Sequence, residues 1–385
     1  MNPRSSSLKP RGTLLPHRLR NPACAMVLVA GALAGPGSTQ GNPAPVNSEP
    51  RQLLGPSVVR QTEIGDPVAA ATRHHERVYT DARGSQGTAG AFALSPNGTF
   101  LAYGFDYSNR MTGAGGDSQV RVHRIGAPEP TAFAVRAWER AEQQGRYREY
   151  GMPLWDTKGT SLWFDAFMIH GDKVGLDRAV WSARPDGTGL RRRTPPSLQP
   201  LSPELSPDGR QLSYVALSSE DVSEGYGALR VLTLATGRVR TLVARGVYGR
   251  ARWSPNGKWM VYGTGAHDRL FLLPSRGGVP RLLVTGSRLH PDPQVTRSPG
   301  KNSHYWLPDS RTLLFTVLGN QVSGKGSRVT EIWKVSLQGP PTRLAAGEVL
   351  AGTRDGRFLL LHLGGRYWRV ELKVRTPSRP RKPMQ

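Results

Sequence analysis

Residues 205–214 read LSPDGRQLSY, and the phrase recurs as LSPNGTFLAY at 94–103, WDTKGTSLWF at 155–164, WSPNGKWMVY at 253–262, WLPDSRTLLF at 306–315 and, degenerately, GTRDGRFLLL at 352–361. The copies begin 61, 50, 48, 53 and 46 residues apart, which is the period of a four-stranded propeller blade with loop insertions. Within the phrase, proline presets φ, Asp or Asn tolerates unusual backbone angles and glycine supplies a positive φ, so each copy predicts a tight hairpin. Three residues past the turn position stand Leu101, Leu162, Leu212, Met260, Leu313 and Leu359; two further on stand Tyr103, Phe164, Tyr214, Tyr262, Phe315 and Leu361. A spacing of two puts each pair on one face of a strand. The residues between them, Ala102, Trp163, Ser213, Val261, Leu314 and Leu360, are also mostly apolar, as expected of a strand buried on both sides. The opening Leu94, Trp155, Leu205, Trp253 and Trp306 are placed to fill the wedge between adjacent blades.

A second phrase follows each of the first five copies, for example LRVLTLATGRVRTLV at 229–243 and LFLLPSRGGVPRLLV at 270–284. Alternating runs broken by Gly- or Pro-containing turns are the signature of two further strands. The predicted fold is therefore all-β, a six-bladed β-propeller of four-stranded antiparallel blades over residues 76–375. The sixth copy has only YWRVELKV at 367–374 and lacks an outermost strand. An open edge invites aggregation, and the expectation is that Glu76–Thr80 (ERVYT) closes it.

Of the 385 residues, 37% are hydrophobic and 21% charged, enough for a substantial core. Glycine and proline, at 45 and 32, argue against a helical bundle and for many turns. The single cysteine excludes an internal disulfide framework and a thiolate zinc cluster. Lys and Arg outnumber Asp and Glu by 52 to 28, a net +24. The arginines are scattered along the chain rather than gathered in a stripe, so charge alone names no partner.

Residues 1–22 are basic without an acid, and 23–34 read ACAMVLVAGALA. This is a secretory signal pattern, too short for a spanning helix, with a cleavage signal near Ala34. It predicts a signal peptide over 1–34 and a periplasmic or secreted protein. Residues 35–75 begin with a Pro/Gly/Ser-rich stretch and read as a flexible leader; 376–385 form a basic tail.

The hairpin phrase followed by L-x-V-x-x-L-x-x-G-x-x-R-x-L resembles the TolB-type six-bladed propeller repeat of exported bacterial envelope proteins, over about residues 76–375. The second copy lacks the proline, the fifth has Ser310 for glycine, and the sixth lacks both the proline and the bulky lead residue. Residues 35–75 are too few and too polar for a separate N-terminal domain of the TolB kind, so none is expected there. The resemblance implies a WD-like propeller acting in protein binding, since TolB-type proteins are periplasmic partners of envelope lipoproteins and membrane proteins. It is specific for fold and nearly silent on chemistry.

The residues offer no catalytic set. There is no G-x-S-x-G elbow with a hydrolase domain, as in prolyl-oligopeptidase-class enzymes, and no sialidase turn, H-E-x-x-H, Walker loop, EF-hand or dinucleotide motif. The histidines are scattered, so no metal site and no cofactor are expected. In a propeller, unrelated loops converge on rims around a central channel, and residues entering the inner strands lie near it. On that ground Tyr150, Arg250, Arg252, His304 and Tyr305 are the candidate channel-rim ligands, aromatic and cationic groups suited to an acidic peptide or a sugar acid. The expected function is a monomeric, non-catalytic protein-interaction or scaffolding module with an envelope or extracellular protein partner and no specific nucleic acid. The alternatives are a polysaccharide lyase or hydrolase with a channel-centred site, and a polyanion-binding protein.

Overall fold

The computed structural model describes residues 49–66, 86–108, 115–127, 146–170, 173–174, 178–217, 226–264, 268–289, 297–319 and 329–374. Each repeat copy forms an antiparallel hairpin: Gln86–Leu94 pairs with Phe100–Ser108, Pro200–Leu205 with Gln211–Leu217, and Arg297–Trp306 with Thr312–Gly319. The later phrases add the third and fourth strands, as in Tyr226–Thr233 followed by Val239–Trp253. Blade one shows three described strands, Gln86–Leu94, Phe100–Ser108 and Gly115–Arg124.

Two long strands serve two blades each. Val239–Trp253 pairs through its first half with the third strand of blade three and through its second half with Trp259–Thr264 of blade four. Thr342–Gly352 hands over from blade five to blade six in the same way. The second handover occurs at Gly347, where φ is +142° and a Cβ would strike the His362 carbonyl, so the crossing needs glycine.

Six apolar clusters lie between successive blades, the last joining blade six to blade one through Phe358 and Leu360 against Phe92, Leu101 and Tyr103. The ring is closed. Within each clamped strand the sequence pattern is obeyed face by face. Leu162 and Phe164 pack against blade one with Trp155, whereas Trp163 turns the other way to meet Leu205, Leu212 and Tyr214 of blade three. Leu313 and Phe315 face blade four, and Leu314 faces blade six.

The indoles tie neighbouring blades by hydrogen bonds as well as area. Trp155 Nε1 donates to the Ala93 carbonyl at 3.0 Å and Trp306 Nε1 to the Arg252 carbonyl at 3.2 Å, each reaching the residue before the preceding blade's lead position. Trp253 Nε1 donates instead to Ser213 Oγ at 3.0 Å, which in turn donates to the Glu204 carbonyl at 3.2 Å. The one polar residue among the alternate positions is thus a relay to the equivalent carbonyl. Ser310, standing where other copies have glycine, holds φ +54°, and its Oγ accepts the Asn256 N–H of blade four at 3.0 Å.

The closing strand differs from expectation. Blade six is completed by Val58–Ile64, which pairs antiparallel with Arg366–Leu372. A short helix, Pro50–Leu54, leads into it, and Leu53, Leu54 and Val58 pack on the blade-six cluster. Part of the stretch expected to be a flexible leader over 35–75 is therefore folded, because the unpaired edge of Arg366–Leu372 binds it. Glu76–Thr80 lies outside the described residues, as do 1–48 and the basic tail. Among the described residues no helix is long and apolar enough to cross a membrane.

Candidate functional site: the hairpin-side mouth of the channel

The six repeat hairpins open on one end of the ring, since every blade starts its inner strand at the other end. At that end the lead residues of the phrases turn into the clusters between blades, and the residues just before them include Glu204, Arg252 and Tyr305. A cavity of about 200 Å³ lies here, lined by residues of blades one, two, three, four and six. Its rim carries the hairpin residues Pro96, Thr157, Pro207, Pro255 and Asp355, and its interior Glu204, Arg250, Arg252 and Arg354.

Glu204, buried at 5% exposure, is shared among three guanidinium groups. Arg252 Nη1 lies 3.2 Å from Oε2, Arg250 Nε 3.6 Å from the same oxygen, and Arg354 Nε 3.9 Å from Oε1. Arg250 continues across the axis to blade two, where Nη2 donates to the Met152 carbonyl at 2.8 Å and both Nη atoms reach the Pro153 carbonyl at 3.3 Å. Burial lowers its pKa to about 10, with the neighbouring Arg252 adding to the effect, so it stays a cation at neutral pH. Arg354 crosses from blade six, donating through Nη2 to the Trp155 carbonyl at 2.7 Å. Its Nε is buried and has no hydrogen-bond acceptor. Burial lowers its pKa too, opposed by Glu204 and Asp156. The mouth is therefore spanned by guanidinium groups held in place by main-chain carbonyls and Glu204, with Asp156 and Asp355 also in its lining, an arrangement that can receive a further carboxylate through charge-assisted hydrogen bonds.

The structure brings four of the five expected site residues together but not all at a rim. Arg252 is half-buried, its guanidinium 4.6 Å from the Tyr305 ring centroid. Tyr305 is itself buried at 5% exposure, its hydroxyl donating to the Leu350 carbonyl at 2.9 Å; burial raises its pKa. Arg250 and His304, at 2% and 0% exposure, are interior groups. His304 faces main-chain groups of Arg250 and Val261, and burial pushes its pKa down to about 3, so its imidazole is neutral and shielded from any external substrate. The cause is a break in strand pairing between Pro299 and His304, which resets the inside–outside alternation on that strand. Tyr150 ends the strand Arg146–Tyr150, opposite Ala166, and its side chain lies outside the described ones.

Two residues essential to the mouth, Glu204 and Arg354, are absent from the sequence-based candidates. Arg354 occupies the position that four other copies fill with proline, and Gly352 the position of the bulky lead residue. A Cβ on Gly352 would stand 2.7 Å from the Tyr305 ring. The sixth copy departs from the repeat in order to admit Tyr305 and send a guanidinium over the channel, and that departure is the signal the sequence offers. Beside the mouth, Asp165 and Arg178 form a buried pair at 3.1 Å. Burial raises the Asp165 pKa against the pull of Arg178 and Arg250. Among the described residues no cluster of potential metal ligands occurs.

Fold and site together define a β-propeller with an arginine-spanned channel mouth. No family model and no curated protein match the chain. Among solved structures it is similar to a putative TolB from Agrobacterium tumefaciens, at 13% identity and a TM-score of 0.46 over 74% of this chain and 90% of that one. It is also similar to TolB from Acinetobacter baumannii, at 12% identity and 0.43 over 75% and 80%. A puromycin hydrolase matches at 15% identity and 0.43 over 79% of this chain and 53% of the enzyme. In architecture the chain is a β-propeller, and that statement rests on its own ring of sheets.

Proposed function

We propose that this propeller is a binding module of the cell envelope or the exterior that holds a short acidic segment of a protein partner at the hairpin-side mouth of its channel. The observation that carries the reading is the convergence of Arg250, Arg252 and Arg354 on the one buried carboxylate of Glu204, with Arg252 and Arg354 keeping 12% and 13% of their side chains exposed at the mouth. A carboxylate arriving there gains charge-assisted hydrogen bonds in a site already organised by Glu204, so little ordering cost accompanies binding. Residues from five blades line the cavity, which suits an extended segment lying across the mouth. The export pattern of residues 1–34 supports the location.

The test is selection from a displayed library of short peptides by wild-type protein and by Arg354→Ala. Enrichment of Asp- or Glu-containing segments by wild type, lost in the variant while its circular dichroism spectrum shows it folded at the selection temperature, supports the reading. Equal selection by both proteins, or turnover of acidic polysaccharides abolished by Arg354→Ala, overturns it.

A further inference from the structure

The structure gathers into a patch the basic residues that look dispersed along the chain. In an antiparallel four-stranded blade the turn between strands one and two and the turn between strands three and four lie at the same end. In blades two to four that end carries exposed Arg184, Arg192, Arg210, Arg238, Lys258 and Arg276, with Asp186 and Asp208 as the exposed acids among the hairpin turns. Both aspartates accept main-chain N–H groups of their own turns, from Thr188 at 2.9 Å and Arg210 at 3.1 Å. The charge is periodic because the position after the turn residue is basic in four of the six copies: Arg210, Lys258, Arg311 and Arg357. At the opposite end Arg366 pairs with Glu63 at 3.3 Å and Arg269 with Asp268 at 3.5 Å.

The same sector presents an apolar tip. Val279 is 88% exposed, and Leu282 beside it 43%. Val279 follows Gly277 and Gly278, both at positive φ, in a turn flanked by Arg276 and Arg281. Trp163 in this sector is covered by the Arg193 guanidinium, 5.0 Å from its ring centroid. A nucleic acid or sugar chain is gripped through exposed aromatic rings. In blades two to four the exposed large apolar side chains are aliphatic, Phe100 of blade one lying against Trp155, and the cations spread over three blades, which a flat target engages together.

We propose that the hairpin end of blades two to four docks on an anionic lipid bilayer, with the arginines and Lys258 at the headgroups and Val279 entering the interface. This goes beyond the channel-mouth reading and does not depend on it. The test is co-sedimentation of the full chain, purified from an exporting host, with vesicles of phosphatidylcholine alone or with one-third phosphatidylglycerol. Binding to the anionic vesicles is expected at 0.1 M salt. Arg238→Gln/Lys258→Gln/Arg276→Gln should weaken it about a hundredfold, at roughly fivefold per charge, and Val279→Asp about tenfold. All these positions are exposed, so unchanged melting curves are expected. Arg354→Ala should leave vesicle binding intact, which separates this proposal from the peptide site. Equal binding to both vesicle types, or an unaffected triple variant, overturns the proposal. So does displacement by duplex DNA or dextran sulfate together with an unaffected Val279→Asp, which would make the patch a general polyanion surface.

Discussion

Arg250 of blade four donates across the central channel to the Met152 carbonyl of blade two, at 2.8 Å. Two blades that are not neighbours in the ring are joined through a side chain 2% exposed. Removing a buried cation strands its partners, here the Met152 and Pro153 carbonyls and the Glu204 carboxylate, and such losses cost about 3–5 kcal/mol. Arg250→Ala is expected to lower stability by that amount in urea unfolding. Arg250→Lys, which keeps the charge but cannot span both carbonyls, should recover less than half of it.

The tryptophan relay predicts a non-additive pair. Trp306→Phe loses one bond to a carbonyl and should cost about 1–2 kcal/mol. Trp253→Phe and Ser213→Ala each break the same chain from indole to hydroxyl to the Glu204 carbonyl. The double variant should therefore be less destabilised than the sum of the two, by about 1 kcal/mol. Chemical unfolding of the four proteins measures it; strict additivity would show that the serine is not a relay.

Closure by Val58–Ile64 makes the ring depend on residues well ahead of the first repeat. Val58, 5% exposed, sits among Leu361, Val370 and Leu372 of blade six. Val58→Asp buries an unpaired carboxylate and is expected to cost about 3 kcal/mol. A chain starting at residue 67 exposes the edge of Arg366–Leu372 and should melt earlier and self-associate in light scattering.

What is legible in the sequence follows from which interactions repeat. The third and fifth residues after each turn are apolar because every clamped strand meets the same kind of neighbour, so spacing alone reveals the sheet faces. Ser213 breaks that pattern, and its place between Trp253 and Glu204 accounts for the exception. The closing strand escapes the pattern because one face of it meets solvent: of Val58–Ile64 only Val58 is buried, so no apolar alternation sets it apart from ERVYT, which stands nearer the first repeat. At the mouth, Arg250, Arg252, His304 and Tyr305 are marked by their place before the hairpins. Pairing irregularities between Tyr248 and Arg252 and between Pro299 and His304 decide which of them reach the cavity, and no spacing rule encodes a bulge. Arg354 is hidden in a turn, where a basic residue reads as solvated.

Glu348 predicts a pH dependence of stability. It stands on the inner strand of blade six, opposite His362, and burial raises its pKa from 4.5 to about 7. Below pH 4.5 the carboxyl is protonated in both folded and unfolded chains and makes no difference. As pH rises, the unfolded chain ionises first, so stability falls steadily until the folded group also ionises near pH 7, and the loss is complete above that. A penalty on the order of 2 kcal/mol corresponds to a shift of this kind after allowance for partial solvation. Glu348→Gln should match wild type at pH 4 and exceed it by about 2 kcal/mol at pH 8, as read from urea midpoints across the range. The neutral His304 acts in the other direction. With its pKa held down at about 3, it withdraws stability as pH falls from 6.5 toward 3, so the pH 4 comparison is made between proteins that share the His304 contribution. An unchanged difference between wild type and Glu348→Gln at pH 4 and pH 8 would show that Glu348 is solvated and carries no such penalty.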